Sequence, residues 1–136
     1  MTRSALTLIQ IAFVRAACAH RTERDLRVLR GSVEYAGSLP PGEPWPARAA
    51  AHAEFHCLLA DATGTPGFAV LARFIHRSVQ DLITAAGPAA ENMIVESRHR
   101  LLGRLAAADA DRAAQEMAGH LARLGQTAAD YPELSC

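Results

Sequence analysis

Two histidines, His52 and His56, stand four residues apart in the stretch AHAEFHCLLADATGTPGF, which spans residues 51–68. Residues four apart on a helix share a face about one turn apart, so both imidazoles point the same way, at a spacing that can chelate a metal ion. Glu54 lies on another face of such a helix, so no carboxylate is predicted beside the histidines as a general base. The pair alone allows two interpretations, a metal or ligand site, or structural residues of a helix.

The elements that must position these histidines are helices. Nearly every long segment has apolar residues at helical period, and almost none alternates with period two. Short turns between the segments imply antiparallel neighbours. The sequence therefore predicts an all-α fold, an antiparallel helical bundle of about six helices, with these approximate bounds: Ser4 to His20, an N-cap at Thr22 to about Gly37, Pro46 to Ala62, Pro66 to Ala86, Ala89 to Ala107, and a cap at Asp109 or Asp111 to about Ala129.

Proline and glycine mark the breaks between these helices. The segment SLPPGEPWPA, Ser38 to Ala47, holds four prolines and one glycine and is predicted to be a loop that Trp45 anchors to the body. Gly64 is predicted as the stop of the third helix and Thr65 as the N-cap of the fourth. Gly87 and the proline after it make the next break.

Composition limits the classes of protein that the chain can be. Half of the 136 residues are hydrophobic, so residues 1–136 are predicted to form one helical domain with a real core. Fourteen acidic residues balance fourteen basic ones, all arginine, so no charge excess indicates a nucleic-acid, acidic or membrane partner.

The cysteines and the N-terminus indicate a cytoplasmic protein. Cys18, Cys57 and Cys136 are odd in number and widely spaced, which argues against a disulfide framework and a zinc knuckle. The apolar run ALTLIQIAFV near the N-terminus is too short to span a bilayer. It also fits the stripe of an amphipathic helix, so a first core helix is favoured over a signal peptide and no membrane partner is predicted.

Several of these motifs occur together in one known family. The chain resembles the effector-binding C-terminal domain of FadR-type regulators in the GntR family, the FCD domain, over about Ile9 to Leu124. In that family a D-x-x-F-H segment opens one helix, and a Gly-Asn-Pro-like break follows. A later helix carries a histidine, a Gly-Asp turn comes eleven residues on, and a last helix carries a final histidine. The matching residues here are Phe55-His56, Gly64-Thr65-Pro66, Asp109, Met117 and His120-Leu121, with HRTERDLRVL (residues 20–29) resembling the start of the family's second helix.

The resemblance implies a site inside the bundle. Several members of the family hold a divalent metal with one aspartate and three histidines, and a small carboxylate effector coordinates that metal. The corresponding positions here are His52 for the aspartate, His56, Arg98 and His120. Histidine in place of aspartate would favour zinc or nickel over a hard cation. Arg98 is a departure with larger consequences, because a guanidinium cannot ligate a metal and repels one.

Leucine spacing places Arg98 inside the bundle. Leu101, Leu102 and Leu105 lie three, four and seven residues after Arg98, on the same helical stripe. His99 is turned by about 100° and cannot take its place.

Three interpretations of the site stay open. Arg98 binds an effector carboxylate or phosphate directly, with His52, His56 and His120 as hydrogen-bonding partners. Alternatively, those three histidines form a weaker metal site for zinc or nickel. In the third interpretation Arg98 reaches solvent and no site exists.

Two further histidines are predicted to have no role. His76 lies beside Arg73 and Arg77 on the fourth helix and is predicted to face water. His20 lies at a helix end, where it can contact the last carbonyls.

The resemblance implies a regulatory domain and not an enzyme. Its expected partners are a small organic acid effector, a second copy in a homodimer, and DNA only through a winged-helix domain, which this chain does not contain. The sequence does not decide between a fragment of a longer regulator and a free-standing domain. Two alternatives come from other classes, a small histidine-rich metal-binding protein and a stand-alone helical interaction module, and a collapsed cavity would favour the second.

Overall fold

The computed structural model describes residues 1–129, and all the regular structure in that range is helical. Six α-helices follow one another in this range: α1 (Arg3–His20), α2 (Glu23–Ser38), α3 (Trp45–Asp61), α4 (Pro66–Ala86), α5 (Glu91–Ala106) and α6 (Ala110–Ala129). The predicted all-α bundle of about six helices is confirmed.

The first break has the predicted cap, and the second has the predicted anchor. Thr22 forms a capping box, because its Oγ1 accepts from Asp25 N at 3.1 Å and Asp25 Oδ2 accepts from Thr22 N at 2.9 Å. The helix α3 begins at Trp45, one residue before the predicted start. Trp45 Nε1 donates to Thr84 O at 3.1 Å, so the indole does anchor this segment to the body, at the end of α4.

The turn between α3 and α4 uses a glycine and an unexpected threonine. Gly64 has a φ of 68°, the left-handed conformation predicted for a helix stop. Thr65 occupies the N-cap position of α4, but its side chain makes no capping hydrogen bond. Thr63 holds the turn instead, because its Oγ1 donates to Ala60 O at 2.6 Å and accepts from Thr65 N at 3.2 Å.

The start of α5 differs from the prediction. A short 3₁₀ turn, Pro88–Ala90, precedes the α-helix, which begins at Glu91 and not at Ala89. Gly87, with a φ of 81°, ends α4, and the proline ring suits the first position of the new turn. The early start is wrong by two residues because sequence periodicity does not separate a 3₁₀ turn from an α-helical first turn.

One short turn both ends α5 and begins α6. Ala108 adopts a φ of 54°, and Ala108 N and Asp109 N donate to Leu105 O and Arg104 O, at 3.1 and 3.0 Å. This is a Schellman motif with alanine where glycine is usual. Asp109 then caps α6 by accepting from Arg112 N at 3.2 Å, so Asp109 and not Asp111 is the cap.

The helices enclose one hydrophobic core. The helix α3 contacts α1, α2 and α4, whereas α5 packs against α1, α2 and α6. All six helices contribute to the largest fully buried apolar side chains, which are Phe13, Leu29, Phe55, Leu59, Ile83, Ile94, Leu105, Met117 and Leu124.

Two remaining predictions concern cysteines and membranes. Cys18 and Cys57 are buried free thiols, and Cys136 lies outside the described residues. Within residues 1–129, no helix combines the length and the apolar character that crossing a bilayer requires.

Candidate functional site

The four residues predicted for the site are all buried and come from three helices. His52 and His56 lie on α3, Arg98 on α5 and His120 on α6, and each is at most 4% exposed. Arg98 Nη1 donates to His52 O at 3.3 Å, and Nη2 donates to His56 Nε2 at 3.0 Å. The rings of His56 and His120 have centroids 6.3 Å apart. The structure therefore brings the predicted residues together in one buried polar cluster.

Arg98 is a buried charge without a carboxylate partner among residues 1–129. It is 2% exposed, and its guanidinium donates to the two acceptors above and lies over the ring of Phe55, whose centroid is 4.3 Å from Cζ. Its Nε has no hydrogen-bond partner. Burial lowers the pKa of Arg98 to about 9, so the group is still charged at neutral pH. The interpretation in which Arg98 reaches solvent is wrong. His99 is exposed, which agrees with the prediction that it is turned away from the buried stripe.

His56 has a defined tautomer because its two neighbours differ in kind. A guanidinium can only donate, so Nε2 of His56 accepts from Arg98 and Nδ1 carries the proton. Nδ1 then donates to Gln10 Oε1 at 2.7 Å. Burial, followed by Arg98 and His120, holds the pKa of His56 well below its ordinary value. The imidazole is therefore neutral in the folded protein at neutral pH.

His120 completes the cluster without a partner of its own in the described part of the chain. Neither of its ring nitrogens makes a hydrogen bond, although the residue is 2% exposed. Burial and then Arg98 hold the pKa of His120 well below its ordinary value. Within residues 1–129, Gln10 Nε2, Arg98 Nε and both nitrogens of His120 are buried polar atoms without a hydrogen-bond partner. Such atoms are uncommon in proteins, and several in one cluster indicate a site for a ligand or water.

Glu91 is a carboxylate that the sequence did not place near the histidines. Its Oε2 lies 2.8 Å from His52 Nε2, and the two carboxylate oxygens also accept from Arg48, at 2.6 and 3.1 Å. The expectation that no carboxylate lies beside the histidines is therefore wrong. The reason is tertiary, because Glu91 belongs to the first turn of α5 and reaches across to α3.

The pKa values of this pair move in the direction that favours a neutral histidine and a charged carboxylate. Burial lowers the pKa of His52, and the hydrogen bond with Glu91 opposes that change only in part. Burial raises the pKa of Glu91, but hydrogen bonds from Arg48 and His52 offset it, so the net pKa is lowered. Arg48 also donates to Leu39 O at 3.3 Å and to Pro40 O at 2.7 Å, which ties Glu91 to the loop between α2 and α3.

The side chains as arranged do not fit the divalent metal that the family resemblance implies. Among residues 1–129, the ligand atoms of His52, His56 and His120 do not all lie within 4.8 Å of one another. The Arg98 guanidinium occupies the coordinating lone pair of His56, and its charge repels a cation. The zinc or nickel site of these three histidines stays a prediction that this arrangement does not support.

The cleft that leads to the cluster is narrow. It lies between α2, α3 and α5, and residues such as Val33, His52, Phe55 and Arg98 line it. Its volume is about 10 Å³, the room that one water molecule needs. A larger ligand therefore requires the helices to move apart.

Two residues of the cluster were missed from the sequence, and only one of them left a signal. Gln10 is fully buried on the stripe that Leu6, Phe13 and Val14 share, so a glutamine in an apolar stripe was the available clue. Glu91 left no such clue, because an acidic residue in a first helical turn is explained by the helix dipole alone.

A comparison of the sequence with protein-family models agrees with this architecture. A search among curated proteins found no significant match. The sequence model of the FCD domain matches residues 3–123, which covers all of α1 to α5 and most of α6. The chain therefore belongs to the FCD family, whose members are effector-binding C-terminal domains of FadR/GntR-type regulators.

Proposed function

We propose that the chain senses a small organic anion, a carboxylate or a phosphate, which Arg98 binds directly inside the bundle. The observation that carries this proposal is the burial of the Arg98 charge without a carboxylate partner in residues 1–129. Such a charge costs several kcal/mol to bury, at order of magnitude, and an anion would compensate it. The guanidinium also offers parallel N–H donors, which match carboxylate and phosphate oxygens.

The unpartnered atoms around Arg98 suit an anion better than a cation. Arg98 Nε and Gln10 Nε2 are donors, and His120 supplies one more N–H in either tautomer. His52 lines the same cleft as Arg98, and His56 contacts the guanidinium directly, so both histidines lie beside the proposed position of the anion. A metal would instead have to displace the guanidinium from His56, so the direct anion site is the better supported interpretation.

Binding must open the closed cleft, and this opening is the basis of the proposed regulation. A ligand shifts an equilibrium between two arrangements only by its difference in affinity for them. The closed form described here would be the unliganded one, and the anion would favour a form in which α5 is displaced from α3. In the whole regulator this change would alter operator binding by an attached or partner winged helix, in a cytoplasmic homodimer.

Thermal-shift screening of carboxylic and phosphorylated metabolites tests the proposal. At least one anion should raise the melting temperature of the wild type, and Arg98→Met should abolish that shift. Arg104→Met is the matched control, because Arg104 lies on the same helix but is partly exposed. It should keep the shift.

Two outcomes would contradict the proposal. If stoichiometric zinc or nickel copurifies and is lost in His56→Ala and His120→Ala, the cavity holds a metal. If no anion stabilises the wild type and no metal is present, the chain acts as a helical interaction module.

A further inference from the structure

A second cluster of metal-ligand side chains lies between α3 and α4, outside the Arg98 cluster. Glu54 and Cys57 are three residues apart on α3, and His76 faces them from α4. A thiol sulfur, an imidazole nitrogen and a carboxylate oxygen of these residues all lie within 4.8 Å of one another. The prediction that His76 faces water is therefore wrong in part, because it is half-buried and contacts Cys57.

The two inner ligands are spaced as a tetrahedral zinc ion requires. Cys57 Sγ lies 3.4 Å from His76 Nδ1. With Zn–S of about 2.3 Å and Zn–N of about 2.05 Å, tetrahedral coordination separates sulfur and nitrogen by about 3.6 Å. Small rotations of the two side chains would therefore admit the ion. Thiolate, imidazole and carboxylate together are a donor set typical of zinc.

We propose that Glu54, Cys57 and His76 form a zinc-binding site with a fourth coordination position open to solvent. The side chain of Glu54 is 43% exposed, whereas Cys57 is 1% exposed, so the ion can enter from the carboxylate side. On binding, a Zn–S bond forms and the thiol proton passes to solvent. This site does not depend on the proposed anion sensor.

The site is separate from the anion cluster although the two share α3. Cys57 follows His56 directly, and consecutive helical residues are turned by about 100°. His56 faces α1, α5 and α6 through Gln10, Arg98 and His120, whereas Cys57 faces α4 through His76 and Ala72 O. Variants of one site can therefore be tested against the other.

Arg73 forms an ion pair with Glu54 and therefore provides a further test of the zinc site. Its Nη1 lies 3.3 Å from Glu54 Oε1, so it competes with zinc for the carboxylate and adds a like charge. Arg73→Ala should therefore tighten zinc binding, by about threefold to tenfold. A loss of affinity in this variant would contradict the proposed competition between Arg73 and zinc for Glu54.

Metal titration of the full chain tests the proposal. The wild type should bind one equivalent of Zn²⁺, and Co²⁺ in its place should give the strong charge-transfer absorption of a thiolate ligand. Cys57→Ser and His76→Gln should each weaken zinc binding at least about tenfold, and Cys57→Ser should remove the thiolate absorption. His76→Gln alters a half-buried position, so it tests the site even if the Cys57 variant unfolds.

Matched control variants distinguish metal binding at this site from metal binding in the Arg98 cluster. Cys18→Ser removes the other buried thiol of the described chain and should leave the cobalt spectrum unchanged. His120→Ala should also retain the metal. Failure of the wild type to show thiolate absorption with Co²⁺ would overturn the proposal, and so would metal that leaves with His120→Ala but stays with Cys57→Ser. The first result does not bear on anion binding by Arg98. The second result would place the metal beside His120 and would therefore contradict the anion site as well.

Discussion

Arg98 has opposite effects on stability and on ligand binding. Without a ligand its charge is buried beside neutral acceptors and the face of Phe55, an arrangement that recovers only part of the lost hydration. Arg98→Met keeps much of the side-chain volume and removes the charge. We expect this variant to raise the free energy of unfolding of the unliganded protein by about 1–3 kcal/mol. Chemical denaturation measures the change.

The same variant should lose its advantage when the anion is present, because only the wild type gains binding free energy. Arg104→Met, at a partly exposed position of α5, should change the unliganded stability by less than about 0.5 kcal/mol. A clear destabilisation by Arg98→Met would show that the guanidinium is a structural tie between α3 and α5.

The cavity histidines make stability depend on pH. The pKa values of His52, His56 and His120 are all lowered, chiefly by burial. Because these pKa values are lower in the folded protein, the histidines of the unfolded chain bind protons at a higher pH than those of the folded protein. Stability is therefore full above pH of about 6.5 and is lost as the pH falls below it.

Three such groups give a steep dependence. We expect the free energy of unfolding to fall by about 2–4 kcal/mol between pH 6 and pH 5, measured by denaturation at several pH values. His120→Leu should reduce that slope by about one third. An unchanged slope in this variant would mean that His120 is protonated in the folded state.

The positions of the site residues were predictable to different extents. The burial of Arg98 was predictable, because the leucines that follow it are spaced so that they share one face of the same helix with it. The pairing of His52 with Glu91 joins residues 39 positions apart. Helical periodicity contains no information on which faces of two helices meet, so that pairing could not be predicted.

At the scale of the elements, the turn between α5 and α6 contains an alanine in a strained backbone conformation that glycine would relieve. Ala108 has a φ of 54°, a conformation that disfavours a Cβ atom by about 1–2 kcal/mol. The FCD pattern has glycine before the aspartate of this turn, and Ala108 stands in that place. We expect Ala108→Gly to raise the free energy of unfolding by about 1 kcal/mol, measured by thermal and chemical denaturation.

The capping residue of the same turn gives the control. Asp109→Ala removes the acceptor for Arg112 N and should destabilise the protein by about 1 kcal/mol. A destabilising Ala108→Gly would mean that chain entropy outweighs the relief of the strained φ.

The helices were easier to predict than their joints. Thr22 acts through a capping hydrogen bond and Gly64 through its φ angle, and both involve only a few neighbouring residues. Helix ends of this kind can be predicted from the sequence. Trp45 and the 3₁₀ turn Pro88–Ala90 lie where the loop and α5 meet the end of α4. Their bounds shift by one or two residues because tertiary contacts decide them.

At the scale of the whole molecule, the exposed face of α4 is the surface on which we expect two copies to pair. Phe74 is 83% exposed and Val70, one turn before it, is 58% exposed. Burying such side chains contributes about 1.5–3 kcal/mol each. Phe74→Glu should therefore weaken the homodimer at least about a hundredfold, measured by light scattering coupled to gel filtration.

Tyr35 offers the comparison, because it is 63% exposed on α2. Tyr35→Glu should leave the dimer intact. A dimer that survives Phe74→Glu, or a wild type that is monomeric at micromolar concentration, would place the pairing surface elsewhere or remove it.

Arg48 connects the interior of the bundle to its surface. Its guanidinium holds Glu91, the partner of His52, and also the carbonyls of Leu39 and Pro40. A ligand that separates His52 from Glu91 would leave Arg48 as the remaining hydrogen-bonding partner of that carboxylate. The hydrogen bonds of Arg48 to the loop would then change. The proline-rich segment would then act as an external indicator of occupancy, a signal that another protein could detect without entering the cavity.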